Sequence, residues 1–143
     1  MRLLTAALDD AVEEVYELHG LDFRPRYFPF FRMLMERESA SVGEFVSALG
    51  FTQPATTQTL HVMREAGLVE PVQTGDRRMR RYRLTQQAKE MVPRLEEIWA
   101  AVAAAADRLD KALPAPLGST VDAALEHLSS RPFREIIERE MAE

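Results

Sequence analysis

Apolar side chains recur three and four positions apart along most of the chain, which is the spacing of one face of a helix. Between Leu4 and Leu18 this spacing predicts a first helix over residues 3–19. Residues 22–28 contain Pro25, which disfavours helical geometry in the residue before it, so an extended connector is expected there. Three more helices are predicted over residues 28–38, 42–49 and 53–66, and the last two follow the capping residues Ser41 and Thr52.

The periodicity changes after Gly67. Residues 68–73 and 79–85 have the composition of two short strands. Gly75 and Asp76, which favour turns, lie between them. A β-hairpin is therefore predicted.

A long helix is predicted to begin at Thr85, with a break or a kink at Pro93. Beyond the proline, apolar residues from Leu95 to Ala112 again alternate three and four apart, a seam suited to packing against another helix. Two short helices are expected near the end of the chain, at about 119–129 and 132–142.

The order of these elements indicates a fold class. The helices at 42–49 and 53–66 are joined by a short turn, and a hairpin follows them directly. This is the order of a winged helix-turn-helix, in which the second helix of the pair enters the major groove of DNA and the hairpin is the wing. The fold is predicted to be mainly α with a small β-hairpin.

The amino-acid composition excludes several classes of protein. The chain has 143 residues, of which 46% are hydrophobic and 29% charged, as expected for a folded single domain. It contains no cysteine, which excludes disulfides, thiolate metal sites and a cysteine redox switch. No apolar run is long enough to span a bilayer and the acidic start does not fit a signal peptide, so a cytoplasmic protein without a membrane partner is expected.

Positive charge is concentrated in the predicted wing. Residues 74–83 contain five arginines and one aspartate, a local charge of +4 in a chain of net charge −5, so the remainder carries −9. Lysine and arginine neutralise phosphates and release counterions, which is the source of sequence-independent affinity for DNA. A single basic edge on an acidic body favours one orientation on a duplex.

Residues 41–92 resemble the DNA-binding core of the MarR family of bacterial transcriptional regulators. The wing of that family has an acidic residue, then basic residues, and then Leu-Thr at the start of the next helix. Asp76, Arg77, Arg78, Leu84 and Thr85 occupy those places here.

The resemblance implies one MarR-type domain over residues 1–143. Its winged helix-turn-helix would cover about 29–92, and its N- and C-terminal dimerisation helices about 3–19 and 94–142. A homodimer that binds a pseudo-palindromic operator in double-stranded DNA is expected.

The outward face of the second helix of the pair offers groups that hydrogen-bond to base edges or phosphates. These side chains belong to Gln53, Thr57, Gln58 and His61. The opposite face, toward the core, is predicted to contain Ala55, Leu60 and Met63.

The five arginines are expected to act differently. In related regulators an arginine of the wing turn enters the minor groove, which implies that role for Arg77 or Arg78. Arg81 and Arg83 alternate onto the outer face of the second strand and are candidate phosphate ligands, although pairing with surface acids is equally open to them. Arg80 lies on the other face and is expected to be only partly exposed.

Members of the resembling family bind small ligands between the dimerisation helices and the winged domain. A small apolar or aromatic effector is the corresponding expectation here. The candidate pocket residues are Phe23, Arg26, Tyr27, Phe31 and Trp99. The same aromatic residues at helical spacing are also typical of an ordinary core.

Two other functions remain open. Residues 52–69 also resemble the ArsR family, whose members are frequently metal sensors, yet a metal site needs clustered ligands and the three histidines are scattered. The second open function is that of a winged-helix module, which would bind an acidic protein partner through the arginine edge. No catalytic motif or phosphate-binding loop is recognisable, so neither an enzyme, a cofactor nor a bound metal is expected.

Overall fold

The computed structural model of the protein describes residues 2–72, 75 and 80–142. The helices are α1 (Arg2–Leu18), α2 (Phe28–Glu36), α3 (Val42–Leu49), α4 (Gln53–Glu65), α5 (Gln86–Ala112), α6 (Leu117–Ser130) and α7 (Phe133–Glu140). The strands are β1 (Ala40–Ser41), β2 (Val69–Val72) and β3 (Arg81–Leu84). The chain forms two compact units, Met1–Ile98 and Trp99–Glu143.

The sequence predicted an extended connector before α2, but only part of this connector is extended. Arg24 is extended, with φ −131° and ψ 150°, as the following proline requires. Pro25–Tyr27 then form a 3₁₀ turn, in which the backbone N–H of Phe28 donates to the carbonyl of Pro25. The fixed φ of proline suits the first position of a helical turn, and this local preference was missed.

Helix α3 has the bounds that its caps predict. The Glu44 backbone N–H donates to Oγ of Ser41 at 3.2 Å, and the Ser41 N–H donates to Oε2 of Glu44 at 2.7 Å, forming a capping box. At the other end Gly50 has φ +73°, a left-handed conformation that favours glycine. The two ends together limit α3 to eight residues.

The sheet contains one strand more than the predicted hairpin. Its order is β1-β3-β2, with both pairs antiparallel. Ser41 and Val72 lie on either side of Arg81, and Val69 pairs with Leu84. Strand β1 has only two residues, too short to produce a recognisable alternation in the sequence.

Helix α5 does not break at Pro93. It is continuous over 27 residues with the proline inside it. Pro93 is exposed, so water is able to solvate the carbonyl that loses its backbone donor. The predicted break is therefore wrong, and the kink that was its alternative stays a prediction.

The core of the first unit contains a cluster of aromatic rings. The ring of Phe23 lies 5.0 Å from that of Tyr16, 5.8 Å from that of Tyr27 and 5.2 Å from that of Phe31, each edge to face. This geometry suits the ring quadrupoles and adds to the burial of large apolar surfaces. The cluster joins the end of α1 to the 3₁₀ turn and α2.

The core face of α4 differs by one residue from the predicted face. Leu60 and Met63 are buried as expected, whereas Ala55 is exposed. Thr56 is fully buried in its place. Positions 56, 60 and 63 follow the four-then-three spacing of one helix face, and the apolar character of Ala55 outweighed that spacing in the prediction.

The second unit is rich in exposed apolar side chains. Its loop between α5 and α6 is held by a hydrogen bond from the Leu117 N–H to Oδ1 of Asp110 at 3.1 Å. Among the described residues of α6 and α7 none is buried. The exposed large apolar residues of this unit are Leu109, Leu113, Leu125, Leu128, Phe133, Ile137 and Met141. Within the described ranges, no helix is both long and apolar enough to cross a membrane.

Candidate nucleic-acid interface

The candidate readout surface lies on α4. Thr52 caps this helix, with Oγ1 accepting from the Ala55 N–H at 3.3 Å, and Pro54 stands in its first turn. The four predicted contact residues, Gln53, Thr57, Gln58 and His61, are all exposed. Residues 53, 57 and 61 are four apart, so they form one row along the helix beside the buried face of Leu60 and Met63, and Gln58 lies on the opposite side of the helix.

His61, a member of this row, lies near an acidic residue of the same helix. Its Nε2 lies 3.5 Å from Oε1 of Glu65, one helical turn further on, and both side chains are more than half exposed. An exposed pair of this kind contributes little to stability. The imidazole therefore remains free to change its hydrogen-bond partner.

An aromatic stack holds the turn between α3 and α4. Phe51 lies in that turn, and its ring stacks on Phe30 with centroids 5.6 Å apart and planes 11° from parallel. Phe30 also contacts Phe45 of α3 at 5.3 Å. Phe51 thus connects the turn to the core, a role that the sequence analysis missed although an aromatic residue in a three-residue turn was a signal for it.

The root of the wing is joined to the end of α4. After α4, Gly67 adopts φ +73° and the Leu68 N–H donates to the Met63 carbonyl at 2.9 Å. The Thr85 N–H donates to the carbonyl of Leu68 at 3.1 Å. These bonds place β3 and the start of α5 beside the end of α4.

Arg80 is exposed, contrary to the expectation of partial burial. The ladder of β3 begins only at Arg81, so Arg80 lies before the first paired position. The expectation assumed that the alternation of Tyr82 and Leu84 continues back to position 80. Asp76, Arg77 and Arg78 lie outside the described residues, and their roles stay predictions.

Arg81 is surrounded by acceptors. Its Nε donates to Oγ of Ser39 at 3.0 Å, its Nη2 to the Ser39 carbonyl at 2.9 Å, and its Nη1 lies 2.8 Å from Oε2 of Glu44. The side chain is only 24% exposed. Of the two roles that the sequence left open for Arg81, the structure contains the pairing with an acid.

Arg83 also pairs with an acid, but within the hairpin. Its Nε lies 2.7 Å from Oε1 of Glu70, the residue directly opposite on β2. Both side chains are more exposed than that of Arg81, at 52% and 44%. Water screening makes such a pair weak, so the guanidinium is available for another anion.

The environment of Glu44 lowers its pKa. The largest cause is the hydrogen bond from the Ser41 backbone N–H, followed by the bond with the Ser41 side chain. Arg81 acts in the same direction through a hydrogen bond and its charge, and partial burial opposes them. Glu44 is therefore held in its ionised form where the helix cap and the wing meet.

The candidate effector residues have different environments. Phe23, Tyr27 and Phe31 are buried in the aromatic cluster of the first unit. Arg26 is exposed, with its guanidinium carbon 5.6 Å from the centre of the Tyr27 ring. Trp99 belongs to the second unit and is half-buried. Their role in ligand binding stays a prediction.

The arrangement of two helices around a three-residue turn, followed by an antiparallel wing, defines the protein as a winged helix-turn-helix. Residues 19–79 match the model of the MarR family. This match and the shared fold support the resemblance to the MarR family that the wing motif predicted. No curated protein matches the chain significantly.

Solved structures share this fold at low sequence identity. A mutant of MarR from E. coli complexed with operator DNA has a TM-score of 0.68 at 19% identity, covering 89% of this chain and 89% of that chain. The organohalide-sensing transcriptional regulator RdhR in its ligand-free form has a TM-score of 0.72 at 15% identity, covering 92% and 76%. The transcriptional repressor CouR bound to a 23-mer duplex has a TM-score of 0.63 at 19% identity, covering 90% and 87%. The likeness confirms the predicted fold class.

Proposed function

We propose that this protein is of the MarR type, binds a pseudo-palindromic operator as a homodimer and thereby regulates transcription. The observation that carries the proposal is the exposed row of hydrogen-bonding side chains on the second helix of the helix-turn-helix. The amide and hydroxyl groups of Gln53, Thr57 and Gln58 are uncharged, and hydrogen-bonding groups of this kind distinguish base pairs in the major groove. The function is one of binding and not of catalysis, and its place is the cytoplasm, where the DNA is.

Base readout is assigned to α4 and phosphate binding to the wing. Gln58 is suited to a bidentate contact with adenine, and Thr57 to a thymine methyl group or a phosphate. Arg77 or Arg78 enters the minor groove at the tip of the wing. Arg83 binds a phosphate, since its present partner is an exposed glutamate.

The dimer is supported by the exposed apolar residues of the terminal helices. In α1, Leu3 is 88% exposed and Leu18 is 83% exposed. Phe133 of α7 is 62% exposed. Burying such surfaces against a second copy is favourable, and a two-fold dimer presents its recognition helices to half-sites about one helical turn, or ~10 bp, apart.

A small apolar or aromatic effector is part of the proposal. RdhR has been solved in a 2,4-dichlorophenol-bound form, which shows that this fold accepts such a compound in that protein. Here the aromatic residues Phe23, Tyr27 and Phe31, with Arg26, are the proposed effector residues of the first unit, and Trp99 is the proposed effector residue of the second. Binding would change the distance between the two recognition helices, a coupling of about 1 to 3 kcal/mol.

The test starts with duplexes that the full-length protein selects from a random pool. Thr57→Ala and Gln58→Ala should change the selected sequence, because they remove base contacts. Thr120→Ala, an exposed threonine of α6, is the matched control and should select the wild-type sequence. Replacing Arg77 and Arg78 with alanine should weaken binding to every duplex and reduce the salt dependence.

The opposite result has a defined meaning. If the wild-type dimer binds no duplex at low salt, the arginine edge serves a different partner and the acidic-protein module replaces the regulator. If Thr57→Ala and Gln58→Ala leave the selected sequence unchanged, α4 does not read bases.

A further inference from the structure

We propose that Arg81 is a positioning residue, which fixes the wing to the first helix of the helix-turn-helix, and that it is not a phosphate ligand. The inference rests on the proposed DNA binding but concerns a contact inside the protein. The juxtaposition that carries it is that of the Arg81 guanidinium with Ser39 and Glu44.

The guanidinium is already bound on all three nitrogens. Two of them donate to the side chain and the carbonyl of Ser39, and the third pairs with Glu44. Charge-assisted bonds in a fork geometry are the strong ones. A phosphate would have to replace them at a side chain that is three-quarters covered.

The contact lies where three elements meet. Arg81 is the first residue of β3 and pairs with Ser41 of β1 in the sheet. Ser41 is also the cap of α3, and Glu44 closes the same capping box. Oε2 of Glu44 therefore accepts both from the Ser41 N–H, at 2.7 Å, and from Arg81, at 2.8 Å. One carboxylate oxygen joins the wing strand to the start of α3.

Backbone pairing alone gives this junction little strength. Strand β1 has two residues and two register pairs with β3, whereas β2 has four. Arg81 adds side-chain bonds at the weaker of the two edges. The direction of the wing relative to α3 and α4 therefore depends on them.

Arg83 provides the contrast on the same strand. Its glutamate partner lies on β2, so the pair connects only the two strands of the hairpin. It does not reach the helix-turn-helix. The Arg83–Glu70 pair is therefore the matched control for the Arg81–Glu44 pair.

Two conservative substitutions separate positioning from phosphate binding. Arg81→Lys keeps the positive charge, but a single ammonium group does not reproduce the planar fork. Glu44→Gln keeps the capping box, which accepts glutamine, while it removes the ion pair. Glu70→Gln is the corresponding control for affinity, and Arg83→Lys is the control for hydrogen exchange at the β1–β3 pairing.

Affinity is measured at one fixed salt concentration, with full-length protein and a duplex that the wild-type protein selects from a random pool. A positioning role predicts that Arg81→Lys and Glu44→Gln each weaken binding about three- to tenfold. The double variant should bind the duplex no more weakly than the single variant of lower affinity, because both substitutions break the same Arg81–Glu44 contact. Glu70→Gln should strengthen binding, because it removes a negative charge and releases Arg83 for a phosphate.

A phosphate-binding role predicts the reverse for Glu44. Lysine would keep the phosphate contact and leave the affinity near that of the wild type. Glu44→Gln would raise the affinity, since it releases Arg81 and removes a negative charge. Either result overturns the proposal, and so does an additive double variant.

Amide hydrogen exchange separates this inference from the proposed function. Arg81→Lys and Glu44→Gln should accelerate exchange at the β1–β3 pairing, while Arg83→Lys should not. Accelerated exchange supports the positioning role even if the protein binds no duplex. The absence of duplex binding would refute only the proposed function as a regulator. Unchanged exchange in a folded variant refutes the positioning role.

Discussion

The hydroxyl of Thr85 donates to the carbonyl oxygen of Gly67, which joins the start of α5 to the turn after α4. The same hydroxyl oxygen accepts from the Ala88 N–H at 3.1 Å and so caps α5. One side chain thus satisfies a carbonyl in the turn after α4 and an N–H in the first turn of α5. The threonine of the Leu-Thr motif therefore has a structural role, because its hydroxyl links the turn after α4 to the start of α5.

Thr85→Val should lower the free energy of unfolding by about 1 to 3 kcal/mol, because it leaves two polar groups without their partner. Valine keeps the shape of threonine, so packing is little changed. Denaturant unfolding monitored by circular dichroism measures the loss. Thr85→Ser retains the hydroxyl and should keep most of the stability; equal losses in the two variants would assign the effect to packing.

Thr56→Val should raise the free energy of unfolding by about 1 kcal/mol. Thr56 is fully buried on α4, and its hydroxyl oxygen has no hydrogen-bond partner among the described residues. Burying such a group without a bond is costly, and valine has nearly the same volume. Thermal unfolding provides the measurement. Thr57→Val, on the exposed face of the same helix, is the control and should leave the melting temperature nearly unchanged.

Acid should remove the stabilisation that Glu44 provides. Its pKa is lower in the folded protein than in the unfolded chain. The contribution is therefore fully present above the unfolded pKa, about 4.3, and is lost as the pH falls through the folded value. The difference in unfolding free energy between wild type and Glu44→Gln should shrink on titration from about pH 6 to about pH 3. A difference that stays constant over this range would contradict the prediction.

Phe51→Ala should loosen the turn between α3 and α4. The stack of Phe51 on Phe30 is an aromatic pair of the kind that contributes about 0.5 to 1.5 kcal/mol beyond burial. We expect a lower melting temperature and weaker binding to the selected duplex, since the turn fixes α4. Phe51→Leu keeps apolar contact without the stack and should lie between. If Phe51→Ala melts earlier but binds DNA as the wild type does, the stack supports stability and not the orientation of α4.

Local rules predicted the parts of the fold that they control. The capping box at Ser41 and the glycine at 50 lie within a few residues of the helix ends that they determine, so the bounds of α3 followed from the sequence. Strand β1 did not follow, because two residues show no periodicity and their pairing depends on a strand 40 positions later. Its identity as a strand is a tertiary property.

The candidate site also has features that the sequence predicted and features that it did not. The exposed positions of α4 were predicted from helical spacing, and Thr57 and His61 are indeed exposed while Leu60 is buried. The partners of Arg81 and Arg83 did not follow, because alternation along a strand specifies a face and not the acid that lies beside it. Only the three-dimensional register showed that one arginine joins α3 and the other stays within the hairpin.

The two arginine–glutamate pairs also change how the protein approaches a duplex. A cation 2.7 Å from an anion acts at long range as a dipole, whose field decays faster than that of a single charge. Beyond a Debye length of about 8 Å at physiological ionic strength, such a pair attracts DNA hardly at all. The rate of encounter is therefore governed by fewer positive charges than the five arginines suggest, and Arg83 contributes only after the wing has touched the backbone.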